Sequence, residues 1–260
     1  MKNILNLGLE NKSVFVAGGA GDIGEAIVET FAQQGSRVTI ADLNGKKAEE
    51  IARGFNAPGV SGCALDITSE VSIKQAIEFA KEKHARIDVL VNVAGILCRK
   101  SFFETTKDDF DESFGVNVTG MFLVSREIAQ LMRICQTGTI VNISSMNGKL
   151  TVENRCLYSA TKAAVNMLTQ SMALELGPFG INVNAVAPGI VDSKMARVRL
   201  NTPELVKQYT DSIPLRALTL PSDVAHCVAF LASPYAKNIS GETIVVDGAL
   251  TVRMPLPKSQ

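Results

Sequence analysis

Tyr158 and Lys162 stand four residues apart in Tyr158-Ser159-Ala160-Thr161-Lys162, and an i, i+4 spacing sets a phenol and an ammonium on one helix face. Moving a phenol from its ordinary pKa near 10 to neutrality takes roughly 3 to 4 kcal/mol, at about 1.36 kcal/mol per unit. One unit charge about 4 Å away supplies roughly 4 kcal/mol at an effective dielectric near 20. Lys162 beside the phenolic oxygen would therefore make Tyr158 a general base for oxidising an alcohol and a general acid for the reverse. The same pair would also serve as surface decoration, so the choice falls to the other residues.

A second group points to a dinucleotide. Gly18-Gly19-Ala20-Gly21-Asp22-Ile23-Gly24 follows a short apolar run. Glycines at such a turn let the backbone approach a pyrophosphate, whose charge rests on free N–H groups at the helix start. Gly18 and Gly24 carry most of that signal, and alone it is also consistent with a plain tight turn. Asp42 lies 18 residues past Gly24, with Leu43 after it. There a carboxylate accepts both ribose hydroxyls and repels a 2′-phosphate, unless it is the N-cap of the segment from Lys46. No Arg or Lys lies in the glycine turn, and Arg37 is at the far end of its run, so NAD is expected over NADP. Oxidised nicotinamide is cationic and would push Tyr158 the same way as Lys162.

These residues need a scaffold that brings them to one place. Short β-branched runs at 13–16, 37–41, 60–65, 87–91, 138–143, 181–187 and 243–246 alternate with stretches of helical periodicity at 23–34, 72–83, 110–135, 157–176 and 223–232. The runs are apolar almost throughout, as strands covered on both faces are. The expected fold is α/β, a single-domain, Rossmann-type doubly wound parallel sheet with helices on both faces, spanning residues 1–260. In such sheets ligands gather beyond the carboxyl ends of the strands. Asp42, Asp66, Asn92, Ser144-Ser145 and Pro188-Gly189 all follow strand ends, on the same edge as the glycine turn.

Composition excludes several classes. The 260 residues carry 26 basic and 26 acidic side chains and are 46% hydrophobic, which fits neither a disordered chain nor a basic nucleic-acid binder. A domain of this length buries about 75% of its unfolded surface and needs no metal or disulfide staple. Five cysteines without a CxxC pair suit reduced thiols in a cytoplasm. No metal site, membrane span or nucleic-acid partner is expected, and Met1 to Glu10 is too short and mixed for a secretory segment. Cys98 and Cys156 are read as packing or pocket residues, His84 and His226 as surface or packing residues.

Together the motifs resemble those of the short-chain dehydrogenase/reductase superfamily, from Asn11 to about Ala249. The glycine turn is similar to its cofactor signature, Asn92-Val93-Ala94-Gly95 to its Asn-Asn-Ala-Gly turn, and Tyr158 with Lys162 to its Tyr-x-x-x-Lys pair. Ser145, 13 residues before Tyr158, and Asn117 resemble its other two catalytic residues. The resemblance implies that Ser145 orients and polarises the substrate carbonyl and that Asn117 holds a water linking Lys162 to solvent. It further implies cofactor contacts from Gly18, Asp22, Ile23, Gly24, Asp42, Leu43, Asn92, Ala94, Gly95, Tyr158 and Lys162, an adenine site at Asp66 and Ile67, and a nicotinamide carboxamide grip at Pro188, Gly189, Val191 and Ser193. A substrate lid at about 191–214, carrying Lys194, Arg197 and Arg199, is implied too, and a homotetramer built through 110–135, 157–177 and the last strand. Four residues depart from the pattern, Ser193 standing where the family usually has threonine. Ala17 replaces a threonine that would tie down the glycine turn, Asp22 replaces a glycine where a carboxylate would repel pyrophosphate unless turned away or used as a helix cap, and Val93 replaces an asparagine.

The expected activity is NAD-dependent interconversion of a secondary alcohol and a ketone, on a small-molecule substrate. Asn147, Asn154, Arg155 and the basic lid lean toward a polyol, sugar or sugar acid. Reduction of 3-oxoacyl thioesters is the alternative within the class, and a non-catalytic NAD(H)-binding sensor or scaffold the alternative outside it. An enoyl reductase would carry a wider Tyr-to-Lys spacing.

Overall fold

The computed structural model describes residues 6–55, 59–198 and 200–252. Arg199 and the two ends of the chain lie outside the described residues. Seven strands, β1 (Ser13–Ala17), β2 (Arg37–Asp42), β3 (Val60–Ala64), β4 (Val89–Asn92), β5 (Gly138–Ile143), β6 (Ile181–Pro188) and β7 (Thr243–Val246), form one parallel sheet in the order β3-β2-β1-β4-β5-β6-β7. The chain leaves β1 for β2 on one side and returns to β4 on the other, which opens a crevice at the carboxyl end of β1.

Strand alternation divides the core in two. Val14 and Val16 of β1 face one layer with Ile27, Val28 and Phe31 of α1 (Asp22–Gln33). Phe15 and Ala17 face the opposite layer, with Ile73 and Ile77 of α3 (Glu70–His84). Successive strand residues point to opposite faces, so uninterrupted apolar runs are what a sheet covered on both sides requires. Between these helices α2 (Gly45–Gly54) packs Ala48 and Ala52 into the first layer.

The periodic stretch at 110–135 is not one helix. It comprises the end of α4 (Lys107–Phe114), a π-helical turn at Gly115–Gly120 and α5 (Met121–Cys135). Helical periodicity does not register one inserted residue, and π turns concentrate at functional sites. The remaining helices are α6 (Cys156–Leu176), α7 (Lys194–Arg197), α8 (Pro203–Ser212) and α9 (Pro221–Ala232). The expected lid at 191–214 holds α7 and α8. Among the described residues no helix is long and apolar enough to cross a membrane.

Candidate active site

At the end of β1 the chain turns through Gly18 with φ +87°, and a Cβ there would stand 2.4 Å from the Ala94 nitrogen. Only glycine fits both the left-handed backbone and that approach. A Cβ on Gly24 would overlap the Gly18 carbonyl at 2.4 Å, so α1 packs directly on the turn. The tie that Ala17 lacks in its side chain is made by its carbonyl, which accepts the N–H groups of Val93 and Ala94 at 2.8 and 2.9 Å.

Asp42 braces the same turn. Its carboxylate accepts the Ala20 N–H and the Asn44 N–H, both at 3.0 Å. The N-cap of α2 is Asn44, through the Lys47 N–H, and not Asp42. Lys47 also donates its ammonium to the Ala20 carbonyl. In the sequence this cation is marked only by its place one turn into α2.

Beside the turn lies a cavity of about 500 Å³, lined by Gly18, Asp22, Ile23, Gly24, Asp42, Leu43, Asp66, Ile67, Ala94, Gly95 and Ser193. Hydrogen bonds from the Thr68 hydroxyl and N–H hold the Asp66 carboxyl below the usual range. Open space at Gly21, where a Cβ would meet nothing within 4 Å, and the start of α1 suit a diphosphate; Asp42 suits a ribose. Of the expected cofactor residues, Asn92, Lys162 and Pro188 stand back from this surface, and Tyr158, Gly189 and Val191 line the neighbouring cavity. Asn92 points into the core, and Pro188 is buried at the end of β6.

Asp22 turns away from the helix axis toward the lid. It accepts the Lys194 N–H at 2.6 Å and lies 3.7 Å from the Lys194 ammonium, a latch across 172 residues that no local pattern encodes. Replacing Asp22 by alanine is expected to raise the association rate of NADH about fivefold, the equivalent of about 1 kcal/mol for a partly exposed charged contact. Loss of the latch and loss of a carboxylate near the diphosphate act in the same direction. Stopped-flow fluorescence measures it, and an unchanged rate would mean that the lid opens independently of Asp22.

The catalytic candidates converge at the next strand ends. Ser145 follows β5 and accepts the Asn147 N–H at 3.2 Å, while Tyr158 lies in the first turn of α6. Burial raises the phenol's pKa above its ordinary value, against the hydrogen bond to Ser145 and the charge of Arg155, which lower it. Lys162 is buried, donates to the Ile143 carbonyl at 2.9 Å and lies 5.7 Å from the centroid of the Tyr158 ring. Burial brings its pKa down to about 8. The spacing argument assumed an ammonium about 4 Å from the oxygen; in the structure it lies over the ring, and burial is the largest influence on each group, raising the phenol and lowering the ammonium.

Asn117 sits in the π turn. Its side chain accepts the Ile96 N–H at 2.7 Å and donates to the Ile96 carbonyl at 2.9 Å and the Thr161 hydroxyl at 3.1 Å. A Cβ on Gly95 would lie 3.0 Å from Asn117 Oδ1 and 3.5 Å from Lys162 Nζ, so the three meet there. Two hydrogen-bonded sets hold this region, and of their members Ser125, Asn142, Asn166 and Thr169 carry no signal in the sequence motifs. Ser144 donates to Asn166, one turn beyond Lys162, and Asn166 donates to the Gly148 carbonyl at 3.2 Å. Beneath them Asn92 donates to Ser125 at 2.9 Å and to Asn142 at 2.8 Å, and Asn142 donates to Thr169 at 2.9 Å.

A second cavity, of about 520 Å³, is lined by Ser145, Tyr158, Gly189, Val191 and Ser193 together with Asn147, Arg155 and Tyr209. Ser193 lines both cavities and caps α7 through the Ala196 N–H. Gly189 is required for space, since a Cβ would stand 2.6 Å from that of Asp247. Cys156 is exposed and Cys98 half-buried, and the two are free thiols. His84 is buried, which lowers its pKa.

The family model described as enoyl-(acyl carrier protein) reductase matches residues 18–251. The 3-oxoacyl-(acyl-carrier-protein) reductase of Aquifex aeolicus is 38% identical, over 95% of this chain and 100% of its own. A gluconate 5-dehydrogenase from Burkholderia cenocepacia, solved in complex with NADP and tartrate, superposes with a TM-score of 0.89 at 28% identity, covering 94% of this chain and 97% of the other. A 3-ketoacyl-(acyl-carrier-protein) reductase from Brucella melitensis, complexed with NADH, gives 0.85 at 30% identity over 94% and 99%.

Proposed function

The chain belongs to the short-chain dehydrogenase/reductase superfamily, and from that premise we propose that it is an NAD-dependent dehydrogenase interconverting a secondary alcohol and a ketone, on a polyol, sugar or sugar acid. The observation that carries this reading is the meeting of Ser145 and Tyr158 at one wall of a cavity that shares Ser193 with the dinucleotide cleft, with Lys162 buried against the Tyr158 ring. Gly18, Asp42, Asp66 and Ser193 would hold the nicotinamide dinucleotide, which when bound accepts or donates the hydride. Tyr158 holds the proton that leaves or returns to the substrate oxygen, and Ser145 positions that oxygen against the phenol. Lys162 keeps a positive charge under the ring, and Asn117 fixes the loop at Ile96 that closes the site's far side.

Asp42 supports NAD, because a 2′-phosphate would meet a carboxylate already fixed by two N–H groups. The ammonium of Lys47 reaches this turn too, but it is committed to the Ala20 carbonyl. Asp42→Ala is expected to narrow the preference for NAD over NADP about tenfold or more, the weight of one charge-assisted hydrogen bond. The ratio of the two kcat/KM values measures it, and an unchanged ratio refutes the role.

A panel of secondary alcohols with NAD and with NADP, followed at the reduced-nicotinamide absorbance, tests the whole reading. NADH binding without any turnover would favour a sensor, although Tyr158 and Lys162 are both intact. The names of the relatives favour 3-oxoacyl thioester reduction as the second reading. An enoyl reductase, the activity named in the family model's description, fits less well with a Tyr-to-Lys spacing of four. The exposed Leu174 and Met167 of α6 and Phe122 of α5, beside a groove of about 330 Å³ between those helices, support a homotetramer. Free thiols support a reducing compartment such as the cytoplasm.

A further inference from the structure

We infer that Asn147 is a specificity-determining residue, whose carboxamide donates to a second, uncharged oxygen that the alcohol carries no more than two carbons from its carbinol. This rests on the dehydrogenase reading and specifies its substrate class. Asn147 lies in the short turn Met146–Gly148 after β5, two residues past Ser145, and lines the cavity that Ser145 and Tyr158 line. It is 7% exposed, and its side-chain nitrogen has no hydrogen-bond partner among the described residues. Buried side-chain donors are seldom left so, because the missing bond costs free energy until an acceptor arrives. The other such atoms among the described residues, on Arg37, Thr39, Ser61 and His84, belong to β2, β3 and α3, and none of those residues lines this cavity.

The turn holds this carboxamide in a fixed relation to the reacting group. The Asn147 N–H donates to the Ser145 hydroxyl oxygen at 3.2 Å, and the Gly148 N–H to the Ser145 carbonyl at 2.9 Å. A Cβ on Gly148 would stand 2.6 Å from the Asn166 side-chain nitrogen and 2.7 Å from the Lys162 carbonyl, so the turn rests directly on α6. Because Ser145 accepts from the Asn147 backbone, its own proton is left for the phenol or for the substrate oxygen that reacts. Covalent reach keeps the Asn147 nitrogen within about 8 Å of that hydroxyl. Two oxygens on neighbouring or next-neighbouring carbons bridge such a span, each through one hydrogen bond of about 3 Å.

A carboxamide has no charge to offset the desolvation of an ionised oxygen, so it matches a hydroxyl or a carbonyl. Leu97, Met146, Leu150, Ile190 and Leu250 make up much of the remaining wall, which concentrates polar recognition beside the reacting carbon. Two kinds of substrate present an oxygen there: a polyol, through a hydroxyl on the adjacent carbon, and a 3-hydroxyacyl chain, through the acyl carbonyl two carbons away.

The test uses matched probes with the intact enzyme and NAD: 2,3-butanediol with 2-butanol, ethyl 3-hydroxybutyrate with 2-heptanol, and, as a control with a distant oxygen, 1,5-hexanediol with 2-hexanol. In at least one of the first two pairs the oxygenated member is expected to exceed its partner about tenfold in kcat/KM, the weight of one hydrogen bond to a group otherwise unpaired, and the larger ratio names the source. The control pair should stay near unity. Asn147→Ala should bring the ratio near unity, chiefly through KM, while Asn147→Ser keeps part of it. The Tm of Asn147→Ala is expected within about 2 °C of wild type, since the nitrogen removed has no partner to lose. Equal rates within the first two pairs, or an equal gain in the control pair, overturn the assignment and leave the dehydrogenase reading standing. A fall in Tm of more than about 5 °C with equal losses on every alcohol assigns Asn147 a structural role and overturns it too. Failure of every probe with both NAD and NADP counts against the dehydrogenase reading. Titration of the same alcohols into the NADH complex, followed by NADH fluorescence, then decides the Asn147 site separately: tighter binding of an oxygenated member that Asn147→Ala removes upholds it, and equal or absent binding overturns it.

Discussion

Tyr158→Phe is expected to lower turnover about a thousandfold, the upper part of the range for a positioned acid or base, and to leave NADH affinity within about twofold. The phenol lies on the wall of the inner cavity, hydrogen-bonded to Ser145, and removal of one oxygen leaves the glycine turn, Asp42 and Ser193 untouched. Steady-state rates and NADH fluorescence titration measure the two halves. Substantial residual activity would mean that another group handles the proton, and Tyr209 of α8, which lines the same cavity, is the first to examine. The direction of the phenol's shift gives the pH dependence. Burial holds its pKa above the ordinary value, so the base form that oxidation needs grows with alkalinity, while the neutral form that reduction needs is present at neutral pH.

Lys162→Met is expected to inactivate the enzyme and stabilise it at the same time. The ammonium is buried and titrates at about 8 against 10.5 unfolded, a difference equivalent to about 3 kcal/mol, at 1.36 kcal/mol per unit. Because the folded pKa is the lower one, the unfolded chain binds more protons between pH 8 and 10.5, and wild-type stability rises with pH across that window. Below pH 8 the full penalty applies. Methionine removes it and fills similar space, offset by about 1 kcal/mol for the hydrogen bond to Ile143. The net gain at pH 7 is on the order of 2 kcal/mol, or roughly 5 °C in Tm, and should shrink as the pH approaches 10. Thermal unfolding at several pH values tests it. A variant less stable than wild type at pH 7 would show that the burial carries no such penalty.

Strand positions and the functional edge were legible because both are local. Each apolar run had to face two layers, and each was followed by the polar or glycine residue that its end presents. Val60–Ala64 ends one residue before the expected run, and Val89–Asn92 starts two residues later and ends one later than expected. What escaped the sequence depends on distant partners or on a sum of opposing effects. The latch between Asp22 and Lys194 joins residues on opposite sides of the crevice. The π turn at Asn117 preserves helical rhythm on either side of it. The inward course of Asn92 depends on Ser125 and Asn142, which only the assembled sheet brings near. The state of Tyr158 is set by how much water the fold excludes, a quantity that spacing does not contain.

The buried amide ladder from Ser125 through Asn92 and Asn142 to Thr169 has an evolutionary corollary. Donation runs outward from Asn92, to Ser125 on one side and to Asn142 and then Thr169 on the other, and the Thr169 hydroxyl donates to the Val165 carbonyl at 2.8 Å. An aliphatic swap at any one rung would strand its neighbour in a dry interior, whereas simultaneous aliphatic swaps would not. These four positions should therefore drift as a set, leaving a correlated signature among descendants.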